Sequence, residues 1–275
     1  MVSTRVEFYP GAKGPLFRII RTPEQVLAHL LFIAPLFEQA NQTRHHISRS
    51  AINGYHHGWQ TIIFDHYGTG DSGGELVDTS LVLWQQDIVK QLVEIKANSA
   101  QAIYLSLPLS AVLLLSDEIL SHVDGVLLLQ PDFNGKRFVQ QFKRLALAAG
   151  FTQRKTAIPT TIAAAKKRQQ TIEIAGYTME ENLLDQLAAQ NLNQLTDVKV
   201  PCYWFEWLAQ SEALSPGRAK QQQALANKSN KLIIQQITAV KFWQATELQI
   251  SPEFLRQEQL LFSQLIAGAA EISGC

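Results

Sequence analysis

The stretch Ser106-Leu107-Pro108-Leu109-Ser110 lies between two apolar segments. Before it, Ala102-Ile103-Tyr104-Leu105 reads as a buried strand; after it, Ala111-Val112-Leu113-Leu114-Leu115 reads as the start of a buried helix. Strand, five-residue turn and helix form the setting of the G-x-S-x-G nucleophile elbow, whose central residue stands on a sharp, strained turn and attacks an acyl carbon. Ser106 and Ser110 are nearly as small as the glycines of that motif, but the centre is Pro108. Proline carries no nucleophile, and its ring fixes φ near roughly −65°, whereas an elbow nucleophile sits at positive φ. The elbow Ser106, Pro108, Ser110 is therefore expected to be degenerate, with no intact catalytic residue.

A serine nucleophile also needs a base that accepts its proton, and that base needs an orienting acid. The chain order is serine, acid, histidine, with the histidine after the last strand. That loop should be Lys241-Phe242-Trp243-Gln244, and no histidine follows His122. Glu206, Glu212 and Asp197 are candidates for the acid, with no histidine to orient.

Other reactive-looking residues have simpler readings. Ser72 closes a glycine-rich loop, where serine more often packs or caps a turn. His45-His46 and His56-His57 suggest a metal, but neighbours on a helix point in different directions, and solvated surface histidines are the expectation. No metal and no cofactor are expected. Lys166-Lys167-Arg168, with Arg154 and Lys155, reads as a solvated helix face. Gly68-x-Gly70-x-x-Gly73 matches a dinucleotide fingerprint only superficially, because no clear helix start follows it.

The elements that would position these residues alternate. Val6–Tyr9 and Leu16–Ile20 suggest an opening hairpin. Leu27–Ala34 reads as a strand covered on both faces, and 41–56 as a helix. Thr61–Asp65 is the next strand, followed by a helix capped by Thr79 or Ser80 and running to about Lys96. After the Ile103 strand and its turn, a helix should run to about Ser121, then a strand over Val123–Gln130. The stretch 135–193 reads as broken helix, interrupted at Gly150, Pro159 and Gly176. Val198–Trp207 and Leu232–Val240 read as the last strands and Glu253–Ala269 as the closing helix. The class is α/β, a mostly parallel sheet flanked by helices, in one domain over residues 1–275, with a small helical lid or excursion within 155–195.

Composition bounds the rest. A chain of 275 residues with 46% apolar and 17% charged residues can bury a substantial core. With 24 basic and 24 acidic residues the formal net charge is zero, which argues against a nucleic-acid partner. Two cysteines, Cys202 and Cys275, give no disulfide framework. The first residues lack the apolar core of a signal peptide, and no apolar run reaches the length of a membrane helix. A cytoplasmic protein with no membrane insertion is expected.

The loop Asp65-His66-Tyr67-Gly68-Thr69-Gly70-Asp71-Ser72 looks like the D-x-x-G-x-G-x-S loop of α/β-hydrolases. With it occur, in order, Pro35 to Arg44, Gln130-Pro131-Asp132-Phe133-Asn134-Gly135, Ala175-Gly176-Tyr177 and Phe242 to Leu248. The set resembles the second of the two hydrolases associated with the exosortase A system, over roughly Val6 to Leu265. The resemblance implies an α/β-hydrolase-like fold and a setting among exopolysaccharide and protein-sorting genes. The family's elbow runs glycine-leucine-arginine-x-glycine, so the loss of serine is shared, while Ser106, Pro108 and Ser110 depart even from that version.

Ligands of open α/β sheets bind beyond the carboxyl ends of the strands. Glu38, Asn41, Arg44, Asp71, Ser72, Gln130, Asn134, Trp243 and Gln244 should converge there, a composition suited to a polar or sugar-like ligand or a peptide. The alternative is structural: Glu38 and Arg44 bonding loop backbones and Trp243 closing the core. One function is then a protein that binds a small polar ligand or a pathway protein without catalysis, in an oligomeric state the sequence does not set. The other is a hydrolase of an ester or related substrate, with Glu38 or Asp71 activating water.

Overall fold

Residues of one sheet alternate between two cores, and this alternation organises the molecule. The computed structural model describes residues 3–148, 152–153, 171–209, 212–245, 247 and 249–273. The opening hairpin is β1 (Ser3–Pro10) and β2 (Pro15–Thr22), paired antiparallel. Then follow β3 (Ala28–Phe32), helix α1 (Glu38–His56), β4 (Trp59–Phe64), helix α2 (Leu81–Asn98), β5 (Ile103–Pro108) and β6 (Gly125–Leu129). After them come α4 (Gly135–Ala148), β10 (Cys202–Trp207), β11 (Leu232–Ile237) and the closing α7 (Pro252–Ser273), with α6 (Pro216–Ala226) between the last two strands. The sheet order is β1-β2-β4-β3-β5-β6-β10-β11, antiparallel at β1, β2 and β4 and parallel from β4 onward.

Successive side chains of a strand point to opposite faces. On β10, Cys202 and Trp204 face the core that α2 covers, while Tyr203, Phe205 and Trp207 face the core under α1 and α7. β3, β5 and β6 are buried along their whole lengths, which is why their sequences are continuous apolar runs rather than alternating ones. Ser80 caps α2 by accepting the Leu83 N–H at 3.1 Å.

Two expectations need correction. The segment after β5 is not one helix to Ser121. It is a 3-10 turn over Leu109–Leu114, a break at Leu115 and Ser116, and the one-turn helix α3 (Asp117–Leu120), capped by Ser116. Within 135–193 the helical reading holds for α4 and for α5 (Glu181–Ala189), but 171–180 forms a hairpin, β8 (Thr171–Ile174) and β9 (Tyr177–Glu180). Its turn places Ala175 at φ 51° and Gly176 at φ 85°. Left-handed conformation at both central residues matches the twist of the flanking strands. A short β7 (Thr152–Gln153) pairs with β8, while Gly150, Pro159 and the basic residues of 154–168 lie outside the described residues.

Candidate functional site

The strained position of the turn is Leu109, one residue beyond the expected centre. Pro108 ends β5 in extended conformation, with φ −76° and ψ 139°, and Leu109 takes φ 52°. The proline ring cannot occupy positive φ, so the left-handed residue falls on the next position in the chain. A left-handed leucine costs on the order of 1–3 kcal/mol, and the surroundings hold it: its side chain is buried and its carbonyl accepts the Asp132 N–H at 3.2 Å. The elbow conformation is thus present, and the residue in it is an aliphatic one. Ser106 is buried with no partner for its hydroxyl among the described residues.

The groups that would form an oxyanion hole are occupied by the protein itself. Such a hole uses the N–H after the elbow residue and an N–H from the loop following the third strand. Here the Ser110 N–H donates to Gln39 Oε1 at 3.2 Å, and the Leu36 N–H donates to Ser110 Oγ at 2.9 Å. Phe37, at φ 56° and ψ −128°, turns the chain from that loop into α1. Gln39 and Ser110 therefore lock the loop to the elbow, and each supplies the acceptor that a substrate oxygen would otherwise provide.

Of the acid candidates, Glu206 on β10 is buried and fully engaged. Arg218 of α6 bridges both of its oxygens at 2.5 and 3.0 Å, and Trp204 Nε1 donates to Oε2 at 2.7 Å. Glu212 faces Lys241 at 3.7 Å. In the loop after β11, Phe242 lies face to face with the His46 ring at a centroid distance of 3.7 Å. His46 is 1% exposed, and neither ring nitrogen has a partner among the described residues. That corrects the surface reading of this histidine: α1 turns it into the aromatic core, where burial lowers its pKa to about 3. Among the described residues no group of three or more histidine, cysteine, aspartate or glutamate side chains converges.

The nine expected pocket residues separate into distinct places. Asn41 and Arg44 line a cavity of about 460 Å³, and Glu38 stands beside it, bonded to Asn41 at 3.3 Å and to the Tyr177 hydroxyl at 3.5 Å. Asp71 lies 3.9 Å from Arg44 and is exposed. Ser72 is structural: its hydroxyl donates to the Asp65 carbonyl at 2.6 Å and accepts the Phe17 N–H at 2.8 Å, tying the loop to β2. Gln130 serves the Glu206 cluster, donating to Glu206 Oε1 at 3.2 Å and accepting the Trp207 N–H at 2.6 Å. Asn134 caps α4 by accepting the Arg137 N–H at 2.9 Å. Trp243 packs edge-on against Trp207, and the exposed Gln244 lies in the same 3-10 turn. The set does not line one cavity.

The cavity lies between the loop after β3, the loop after β4 and the β8–β9 hairpin. Its polar residues not expected from the sequence include Asp65, His66, Glu75 and Tyr177. Asp65 accepts the Asp71 N–H at 3.0 Å and holds Arg44 at 3.1 Å. Gly70, at φ 54°, lies where a Cβ would overlap the Asp65 carboxylate, so the loop closes only with glycine there. His66 is 2% exposed; its Nε2 meets the Ala34 carbonyl at 3.2 Å, and its Nδ1 has no partner among the described residues. Burial lowers the His66 pKa to about 4, so the ring is neutral at physiological pH. With a carbonyl at Nε2, that nitrogen is the donor and Nδ1 presents a lone pair. Burial, then the Glu38 carboxylate, raises the Tyr177 pKa.

No protein-family model matches this chain, and no curated protein is similar to it. Solved structures are. Est1E from Butyrivibrio proteoclasticus aligns with a TM-score of 0.65 at 12% identity, covering 95% of this chain and 99% of that one. The chain has the α/β-hydrolase fold. The esterase domain of a Rhodothermus marinus protein aligns at 0.59 with 15% identity, over 96% of this chain and 98% of its own. A proline iminopeptidase from Mycobacterium smegmatis aligns at 0.60 with 14% identity, over 96% and 100%. In this α/β-hydrolase fold, β5 leads into the elbow and β10 carries Glu206. No helix among the described residues is long and apolar enough to cross a membrane.

Proposed function

We propose that this chain is an α/β-hydrolase-fold protein that binds a ligand without a Ser-His-acid triad, acting among the products of an exosortase and exopolysaccharide locus. The observation that carries this reading is the elbow itself. Leu109 holds the nucleophile's conformation, and Gln39 and Ser110 take up the two N–H groups that would stabilise an oxyanion. Two further features support it: no histidine follows His122, and the buried Glu206 is paired with Arg218. The ligand is a small molecule seated in the cavity beside Asn41, Arg44 and Tyr177 or a pathway protein whose side chain enters there.

Chromogenic esters of increasing acyl length test the absence of catalysis. Turnover by the wild type at the level of buffer is expected; turnover above buffer contradicts the reading. The genes flanking this one test its setting. Exosortase and exopolysaccharide genes are expected beside it, and their absence contradicts the locus assignment alone.

A further inference from the structure

The cavity is lined by Leu36 and Phe37 of the loop bonded to the elbow but not by Leu109 itself, and carboxylates outnumber cations around it. Asp65 and Glu75 line it, with Asp71 and Glu38 at its edge, and the described lining contains one cation, Arg44. That guanidinium is already engaged, 3.1 Å from Asp65 and 3.9 Å from Asp71. His66 adds no charge, being neutral, and its Nδ1 is sealed off with no partner among the described residues. The remaining wall is apolar, with Phe37, Ile47, Phe64 and Trp84 among its residues. A carboxylate or phosphate entering this space would meet more negative charge than positive, whereas an ammonium or hydroxyl group would find acceptors.

We propose that this cavity binds an amphipathic ligand with a compact apolar body and a cationic or hydrogen-bond-donating head, and that it discriminates against anions. The proposal rests on the ligand-binding reading above, and it is tested with probes that contain no hydrolysable bond, so catalysis does not enter the readout. The probes are 2-naphthylmethylammonium, 2-naphthylmethanol and 2-naphthoate, titrated into the full-length protein by calorimetry. The ammonium is expected to bind roughly tenfold or more tighter than the carboxylate, the size of one ion-pair contact at a half-buried site, with the alcohol between them. Glu75→Gln, at an exposed position, should weaken the ammonium several-fold and leave the alcohol unchanged. Carboxylate binding as tight as ammonium binding overturns the charge preference and leaves the cavity as a ligand site. Binding of none of the three, or binding unchanged in Leu76→Trp, which pushes an indole into the lining, overturns the proposal and the cavity's part in the proposed function together. Either result leaves the account of the elbow standing.

Discussion

The Gln39 side-chain carbonyl accepts the backbone N–H of Ser110 at 3.2 Å, directly after the left-handed Leu109. An active hydrolase of this fold keeps the N–H at that place free for a developing oxyanion. Here a residue of the first turn of α1 fills it, and Ser110 Oγ closes the neighbouring Leu36 N–H in return. The loop and the elbow are bonded to each other rather than arranged around a substrate.

Restoring a hydroxyl to the elbow should therefore restore nothing. Leu109→Ser is expected to show no ester turnover above the wild type, because the base is absent and the oxyanion donors are occupied. Single-turnover assays with an activated ester check this. Acylation of the new serine at a measurable rate would show that the donors are free.

The same bonds have a structural cost when removed. Ser110→Ala leaves the Leu36 N–H without its acceptor in a buried place, and about 1–3 kcal/mol of stability should be lost. Urea unfolding with an unchanged m-value reports it, and a midpoint equal to that of the wild type would show that the bond is dispensable.

The fold was legible in the sequence because its signals are local. The apolar runs that became β3, β5 and β6 mark strands covered on both faces, and of the two caps the sequence offered for α2, Thr79 and Ser80, the structure uses Ser80. The site was less legible for two physical reasons. The residue at positive φ depends on how the chain leaves β5, and the sequence placed the turn's centre on Pro108 although proline cannot adopt that conformation. The pocket depends on which way side chains point, and position after a strand does not set that: Gln130 turns toward Glu206, Asn134 caps a helix, and Trp243 enters the core. The hairpin at 171–180 has a readable signal, the alternation of Thr171 to Ile174 followed by Ala175-Gly176, but it is short and lies between helical segments that share no break with it in composition.

The pair Glu206–Arg218 should behave as a structural unit. Its side chains are 5% and 12% exposed, and breaking a buried pair by removing one partner costs about 3–5 kcal/mol. Arg218→Met alone should be strongly destabilising, and Arg218→Met with Glu206→Gln should recover part of the loss. A double-mutant cycle by chemical denaturation checks this; additive effects of the two substitutions would show that the residues do not act together.

Two buried groups should give stability a readable pH dependence. Burial depresses the His46 pKa to about 3, so the unfolded chain takes up a proton near pH 6.5 that the folded chain refuses. Stability from this group is present above pH 6.5 and is lost as pH falls toward 3. His46→Phe retains a flat ring against Phe242 and should make that acid limb shallower, the remainder coming from His66 and His29, whose pKa values burial also lowers. Glu258, fully buried against Ser50 and Asn53, has the opposite sign, with a pKa raised to about 7 by burial. Its contribution is complete below about pH 4.5 and is lost as pH rises to 7. Glu258→Gln should flatten that limb. Thermal unfolding between pH 4 and 8 separates the two, and slopes unchanged in both variants would show that neither group is perturbed.

The most direct measurement is the intact mass of the full-length protein after treatment with a fluorophosphonate, followed by peptide mapping. An unmodified mass, with the reagent confirmed active on a serine esterase, is the predicted result, because the elbow presents Leu109 and closed oxyanion donors. A stoichiometric adduct mapped to Ser72, Ser106, Ser110 or any other serine, and lost on its substitution by alanine, would contradict the account and make this chain an enzyme.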